Sequence, residues 1–207
     1  MRLISMKYVF CLLSIAFFTS LQAAAQTWAP GGPIPDEEYR FFSEIRGTSP
    51  KANLVIAERT ESVRIVQPDD PNIILNSSTS VSKIKRHFRA LLDETIADFN
   101  TKNSRSHLFE NKFTFAGKYT FASADQLRAT LHSPVHPYDQ RRSFRSTFSG
   151  ATGYYEFSRV GFNAAGDQAL LYQVYECGED CGSSTYYFYI KQNGAWKQKG
   201  KYVRFLS

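Results

Sequence analysis

The chain has 207 residues, of which 43% are hydrophobic and 21% charged, with 25 Lys and Arg set against 19 Asp and Glu for a formal net charge of +6 at pH 7. That length is ample for one hydrophobic core and too short for more than two very small domains. The positive bias is mild and describes a solvated surface better than a polyanion binder. No internal repeat, heptad series or low-complexity block interrupts it.

Arg2 and Lys7 lead into an apolar stretch from Tyr8 to Phe18, followed by Leu21-Gln22-Ala23-Ala24-Ala25. A basic start, a short apolar core and small side chains at Ala23 and Ala25 make an export signal, with cleavage expected before Gln26. The stretch falls short of the roughly 20 apolar residues that span a bilayer, so no stable membrane anchor is expected once the signal is removed. Cys11 lies inside the apolar core with no small residue before it, which does not fit a lipoprotein signal. Processing leaves 182 residues with 23 basic and 19 acidic side chains, a net charge of +4. A secreted or periplasmic location follows as an expectation.

Residues 26–34 are rich in Pro and Gly and read as an extended arm, after which residues 35–207 read as a single domain. Pro35 and Asp36 suit the first turn of a helix, Glu37 and Glu38 complement its dipole, and Tyr39, Phe42 and Ile45 repeat on one face until Gly47 and Pro50 end it. Leu54 to Ala57 and Val63 to Val66 have the β-branched composition of short strands, and Asn72 to Asn76 is a third candidate. The run Gln67-Pro68-Asp69-Asp70-Pro71 has turn chemistry.

The strongest helical pattern spans about Ser82 to Asn100, where Ile84, Phe88, Leu91, Leu92, Ile96 and Phe99 form one stripe. Lys83, Lys85, Arg86 and Arg89 share the opposite, wet face with Asp93 and Glu94. Phe113-Thr114-Phe115 reads as a strand before a turn at Gly117. Ser123 and Gln126 have the spacing of a capping box, which starts a short helix through Leu131. Pro134 and Pro137 prevent its continuation. Asp139 to Phe148 allows another turn or two of helix, with Phe144 and Phe148 four apart.

The C-terminal third reads as an antiparallel meander. Its strands are Tyr154 to Phe162, Gln168 to Tyr175, Thr185 to Gln192 and Trp196 to Leu206. Asn193-Gly194 is a strong hairpin signal because both turn positions want positive φ. Along the third strand, alternation sends Tyr186, Phe188 and Ile190 to one face and Tyr187 and Tyr189 to the other. The fold class is therefore α+β, with N-terminal helices packed on a C-terminal antiparallel β-meander. Cys177 and Cys181 remain after processing, and an even pair in an exported protein points to a disulfide. Its closed loop is so short that it shapes the turn more than it holds the fold.

The order Phe157-Ser158-Arg159-Val160-Gly161-Phe162-Asn163, then Cys177-Gly178 with Cys181-Gly182, then Asn193-Gly194-Ala195-Trp196 resembles a widespread family of uncharacterised bacterial secreted proteins. Weaker similarity extends over Glu37 to Glu44, Leu54-Val55-Ile56 and Thr95 to Asn103. The resemblance implies export and a shared α+β domain, and it carries no reaction or catalytic residues.

Candidate chemistry is sparse. His132 and His136, near Tyr138 and Asp139, are the closest approach to a metal or acid-base cluster, but Pro134 makes the segment a loop in which two imidazoles four apart do not converge. His107, His132 and His136 are candidate bases and Ser133, Ser143 and Ser146 candidate nucleophiles, without the Gly-x-Ser-x-Gly elbow that would expose a serine. A redox role for the cysteines is disfavoured, because three residues separate them and Glu176, Glu179 and Asp180 would raise the energy of a thiolate. The basic clusters at 83–89 and at Arg141, Arg142 and Arg145 read as solvated helix faces, and an exported protein seldom meets nucleic acid, so nucleic acid is not an expected partner. No catalytic, cofactor-binding or metal residue is assigned. The expected function is a non-enzymatic binding or accessory module, the alternative being a small hydrolase using the loop from His132 to Asp139.

Overall fold

Pro35 stops the extended backbone, and its carbonyl accepts the Glu38 N–H at 3.0 Å to open α1 (Asp36–Arg46), whose first turn holds three carboxylates. This computed structural model describes residues 31–46, 53–60, 75, 77–114, 117–131, 137–178 and 181–206. Beyond α1 its helices are α2 (Ser78–His87), α3 (Asp93–Lys102), α4 (Ala124–Leu131) and α5 (Pro137–Thr147). Its strands are β1 (Leu54–Ala57), β2 (Tyr119–Ala122), β3 (Tyr154–Phe157), β4 (Gly161–Phe162), β5 (Gln168–Glu176), β6 (Gly182–Gln192) and β7 (Ala195–Leu206).

All seven strands join one sheet in the order β2-β1-β3-β5-β6-β7, with β4 beside β5. The fold class is α+β, and the C-terminal meander from β3 to β7 is antiparallel. Asn193 (φ 51°) and Gly194 (φ 79°) make the turn between β6 and β7, where the left-handed backbone of both residues matches the twist of the hairpin. The meander is extended on its β3 edge by two parallel strands, β1 beside β3 and β2 beside β1.

Side-chain alternation gives the sheet two apolar faces, and both are covered. On one face Ile56, Phe157, Leu171 and Tyr189 meet Phe41 and Phe42 of α1 together with Phe109 and Phe113. On the other, Leu170, Tyr172, Tyr186 and Phe188 meet Ile84, Phe88, Leu91, Ile96 and Phe99 of the α2–α3 region. Val55, Ala57, Ala122 and Tyr154 meet Leu127 and Leu131 of α4 and Phe144 and Phe148, whose rings lie 4.9 Å apart. The alternation expected of Tyr186 through Ile190 therefore holds.

Four expectations change. The single helix over 82–100 is two, because α2 closes at Phe88 and α3 reopens after Leu92 in extended backbone (φ −80°, ψ 150°). Gln168 of β5 stabilises that break, accepting the Leu92 N–H (3.1 Å) and donating to the Ala90 carbonyl (3.0 Å). The break turns Leu92 outward, 43% exposed, while Phe88 and Leu91 keep their place in the core. Ser77, with Ser80, supplies the capping box that starts α2 four residues before the expected start. Phe113 lies in a loop, and the strand is instead Tyr119–Ala122. The expected strand Tyr154 to Phe162 is interrupted over 158–160, where the Ser158 hydroxyl accepts the Tyr172 N–H (2.9 Å) in place of a strand carbonyl. The capping box of Ser123 and Gln126 forms as expected. The expected strand Val63 to Val66 and the turn at 67–71 lie outside the described residues, as does Asn72 to Asn76 apart from Leu75. Leu75 is buried and its backbone is bound through both N–H and C=O by Asn100.

Candidate functional site

The interruption between β3 and β4 places a charged side chain where a strand would have placed an apolar one. Arg159 is 5% exposed and Glu38 of α1 is 1% exposed. The guanidinium donates through Nε to both Glu38 oxygens (3.0 and 2.8 Å) and through Nη2 to Oε1 (2.5 Å). Glu38 Oε2 also accepts the Val160 N–H at 3.0 Å. His107 completes the cluster: its Nδ1 lies 2.8 Å from the Gly32 carbonyl, which can only accept, so Nδ1 carries the proton. Arg159 Nη1 lies 3.2 Å from Nδ1 and 3.3 Å from Nε2, and in that tautomer only Nε2 can accept from it.

Helix α3 holds the same segment from its other side. Asn103, fully buried, accepts the Arg159 N–H (2.7 Å) and donates to the Arg159 and Phe99 carbonyls. Lys102 donates to the Val160 carbonyl (3.1 Å) and pairs with Asp98 (2.7 Å), which itself accepts the Phe162 N–H. Gly161 permits this approach, since a Cβ there would lie 2.4 Å from Phe99 Cβ and 2.6 Å from Phe99 N. The buried ion pair is paired and hydrogen-bonded on every side described, as a desolvated charge must be. Its chemistry is structural: it locks α1 and α3 to a gap in the sheet.

That cluster lies past the carboxyl ends of β1 and β3, the edge where open parallel sheets commonly receive ligands. The described cleft is at the opposite, amino end. It has a volume of about 460 Å³ and is lined by Asn53, Val55, Asn111, Lys118, Tyr119, Thr120, Thr147, Phe148 and Ser149, with Gly117. Val55 and Phe148 give it an apolar floor, while amides and hydroxyls surround a single cation, Lys118. Asn53 donates to the Ser149 carbonyl and Tyr119 donates to Asn111. Burial raises the Tyr119 phenol, which keeps that hydroxyl a donor.

Of the residues singled out in the sequence, the described ones do not converge. His107 lies in the Arg159 cluster. Ser143 and Ser146 are on α5, where the Ser146 hydroxyl donates to the Ser143 carbonyl (2.8 Å). Residues 132–136, and with them His132, Ser133 and His136, lie outside the described residues, and Asp139 is an exposed position on α5. Among the described residues no three His, Cys, Asp or Glu side chains are placed to hold a metal ion. No helix of the described residues is long and apolar enough to cross a membrane.

Cys177 and Cys181 are joined as a disulfide with Cα atoms 5.1 Å apart, at the turn between β5 and β6. The Cys177 N–H also donates to the Cys181 carbonyl at 2.8 Å, so backbone and bridge close the same turn. Reduction before alkylation is expected to add two more alkyl groups by intact mass than alkylation alone, and to lower stability by no more than about 2 kcal/mol. Two thiols alkylated before reduction would contradict the bridge.

The tyrosines of the sheet serve packing first. Tyr189 is buried against Phe41 (5.2 Å), and burial pushes its phenol up to about 12, Tyr187 adding to the rise and Arg46 opposing it. Arg46 lies 4.0 Å over the Tyr155 ring and 4.8 Å from that of Phe157, and it donates to Gln173 at 2.9 Å. Glu38, Asn103 and Arg159 went unrecognised as a unit in the sequence. The one sequence signal for it is an arginine inside an otherwise apolar strand pattern, Phe157-Ser158-Arg159-Val160. No protein family, curated protein or solved structure matches the chain.

Proposed function

We propose that the chain is an exported, non-enzymatic binding or accessory module, related to the secreted bacterial proteins it resembles, whose ligand sits in the cleft at the amino ends of β1 and β2. One observation carries the reading. The strongest cluster of ionisable groups among the described residues, Glu38 with Arg159 and His107, is consumed by the architecture, whereas the cleft offers amides, hydroxyls and one ammonium over an apolar floor. Such a lining suits recognition of a small polar molecule and places no acid-base pair beside it. The export half of the reading rests on the basic, apolar and small-residue sequence of positions 1–25.

A panel of small saccharides and short peptides tests the binding half, read by protein chemical shifts. Perturbations at Asn111, Lys118 and Thr120, lost in Lys118→Ala with Thr120→Ala, are expected; both positions are exposed, so the fold should tolerate the changes. Turnover of an esterase, peptidase or glycosidase substrate, abolished by one polar substitution, would overturn the non-enzymatic reading. If such an activity survived His132→Ala with His136→Ala, the hydrolase based on the loop from His132 to Asp139 would fall as well.

A further inference from the structure

The fold brings together two basic runs that are far apart in the sequence. Helix α2 lies on the edge strand β7, where His87 stacks on Tyr202 (4.3 Å between ring centroids), Lys83 Nζ sits 5.7 Å from the same ring, and Phe88 packs on Gly200. Lys83, Arg86 and Arg89 of the α2 region, which covers the Tyr202 face, share that side of the edge with Lys197 (opposite Ile190), while Lys191 (over Trp196) and Lys201 (opposite Tyr187) lie on its other side; these six and Lys199 are exposed. From Lys191 to Leu206 the chain has five cations and no carboxylate. Asp93, paired with Lys85, and the exposed Asp167 border the surface.

Lysines and bulges on an edge strand discourage pairing with a second sheet, and β7 has register shifts between Ser184 and Thr185 and between Phe188 and Tyr189 of its partner. That purpose accounts for the charges alone. It does not account for the end of the strand, where Val203, Phe205 and Leu206 are 43%, 58% and 76% exposed. Ammonium groups beside exposed aromatic and aliphatic side chains match a surface that is anionic outside and hydrocarbon just beneath. A soluble polyanion would satisfy the lysines and leave Phe205 and Leu206 in water.

We propose that the β7 edge with α2 is a peripheral docking surface for the anionic phospholipid leaflet of a membrane, with Phe205 and Leu206 entering the headgroup boundary. It lies at the opposite sheet edge from the cleft beside β2, so either proposal can fail without the other. The test is co-sedimentation of the purified chain with vesicles of phosphatidylcholine, alone or mixed equally with phosphatidylglycerol. The chain is used in its processed form beginning at Gln26, so that the apolar segment of residues 8–18 adds no vesicle binding of its own. Binding to the anionic vesicles should exceed binding to neutral ones and weaken with salt. Lys197→Glu with Lys199→Glu and Lys201→Glu should lose affinity on the order of 100-fold. Phe205→Ser with Leu206→Ser should lose at least about tenfold, including at high salt. Three results would overturn the proposal: equal binding to both vesicle types, an equal loss from Lys118→Glu at the distant cleft, or unchanged vesicle binding by the Phe205 and Leu206 variant with displacement by a soluble polyanion.

Discussion

Glu38→Leu is expected to destabilise the fold by about 3–5 kcal/mol, the cost of leaving a buried guanidinium without its carboxylate. Arg159 is held by three contacts to that carboxylate, and its other side-chain partner is the His107 ring. Arg159 is only 5% exposed, so bulk water does little to solvate it, and Glu38 is its carboxylate partner among the described residues. Adding Arg159→Met to Glu38→Leu should return most of the loss, because both desolvation costs disappear together. A residue of about 1–3 kcal/mol should persist, since the Val160 N–H loses the Glu38 oxygen that accepts it at 3.0 Å. Urea midpoints of the single and double variants, at constant slope, measure both numbers. A single variant within about 1 kcal/mol of wild type would show that the pair behaves as a solvated surface bridge. A double variant no more stable than the single would show that shape, and not charge, matters there.

Phe42→Ala should cost a similar amount, about 3–5 kcal/mol, through lost transfer energy and the cavity left behind. Phe42 is fully buried and its ring is ringed by Phe41, Phe109, Phe113 and Phe157 at 6.0, 5.9, 5.6 and 5.1 Å. Those neighbours come from α1, from the loop after α3 and from β3, so collapse around the gap requires three separate segments to move at once. Phe42→Leu should recover much of the loss by refilling the volume. Thermal and chemical unfolding check the prediction, and a loss under about 1.5 kcal/mol for alanine would mean the site repacks freely.

The segment from Phe157 to Asn163 joins β3 to β5 through irregular backbone, and the structure shows what its residues do. Ser158 substitutes for a strand carbonyl, Arg159 anchors α1, Gly161 admits α3, and Asn163 closes the turn to β5 by accepting the Asp167 and Gln168 N–H groups. The distinctive residues are therefore those that hold an irregular stretch of backbone. A run of unusual polar residues inside a strand pattern is as much a sign of broken hydrogen-bonding periodicity as of chemistry.

By itself the sequence determined the local units: the stripe that became α2 and α3, the capping box at Ser123, the hairpin at Asn193-Gly194 and the alternation of β6. It also determined the cysteine turn, whose partners are four residues apart. Each of these is written in side-chain period or turn stereochemistry over a few neighbouring residues. Tertiary structure alone decided the break at Leu92, the parallel addition of β1 and β2, the burial of Glu38 with Arg159 and the meeting of α2 with β7. These depend on partners dozens of residues away: Gln168 stabilises the break at Leu92, and Glu38 lies 121 positions from Arg159. Periodicity tells a residue which way to face, and only the packed chain decides which distant group meets it there.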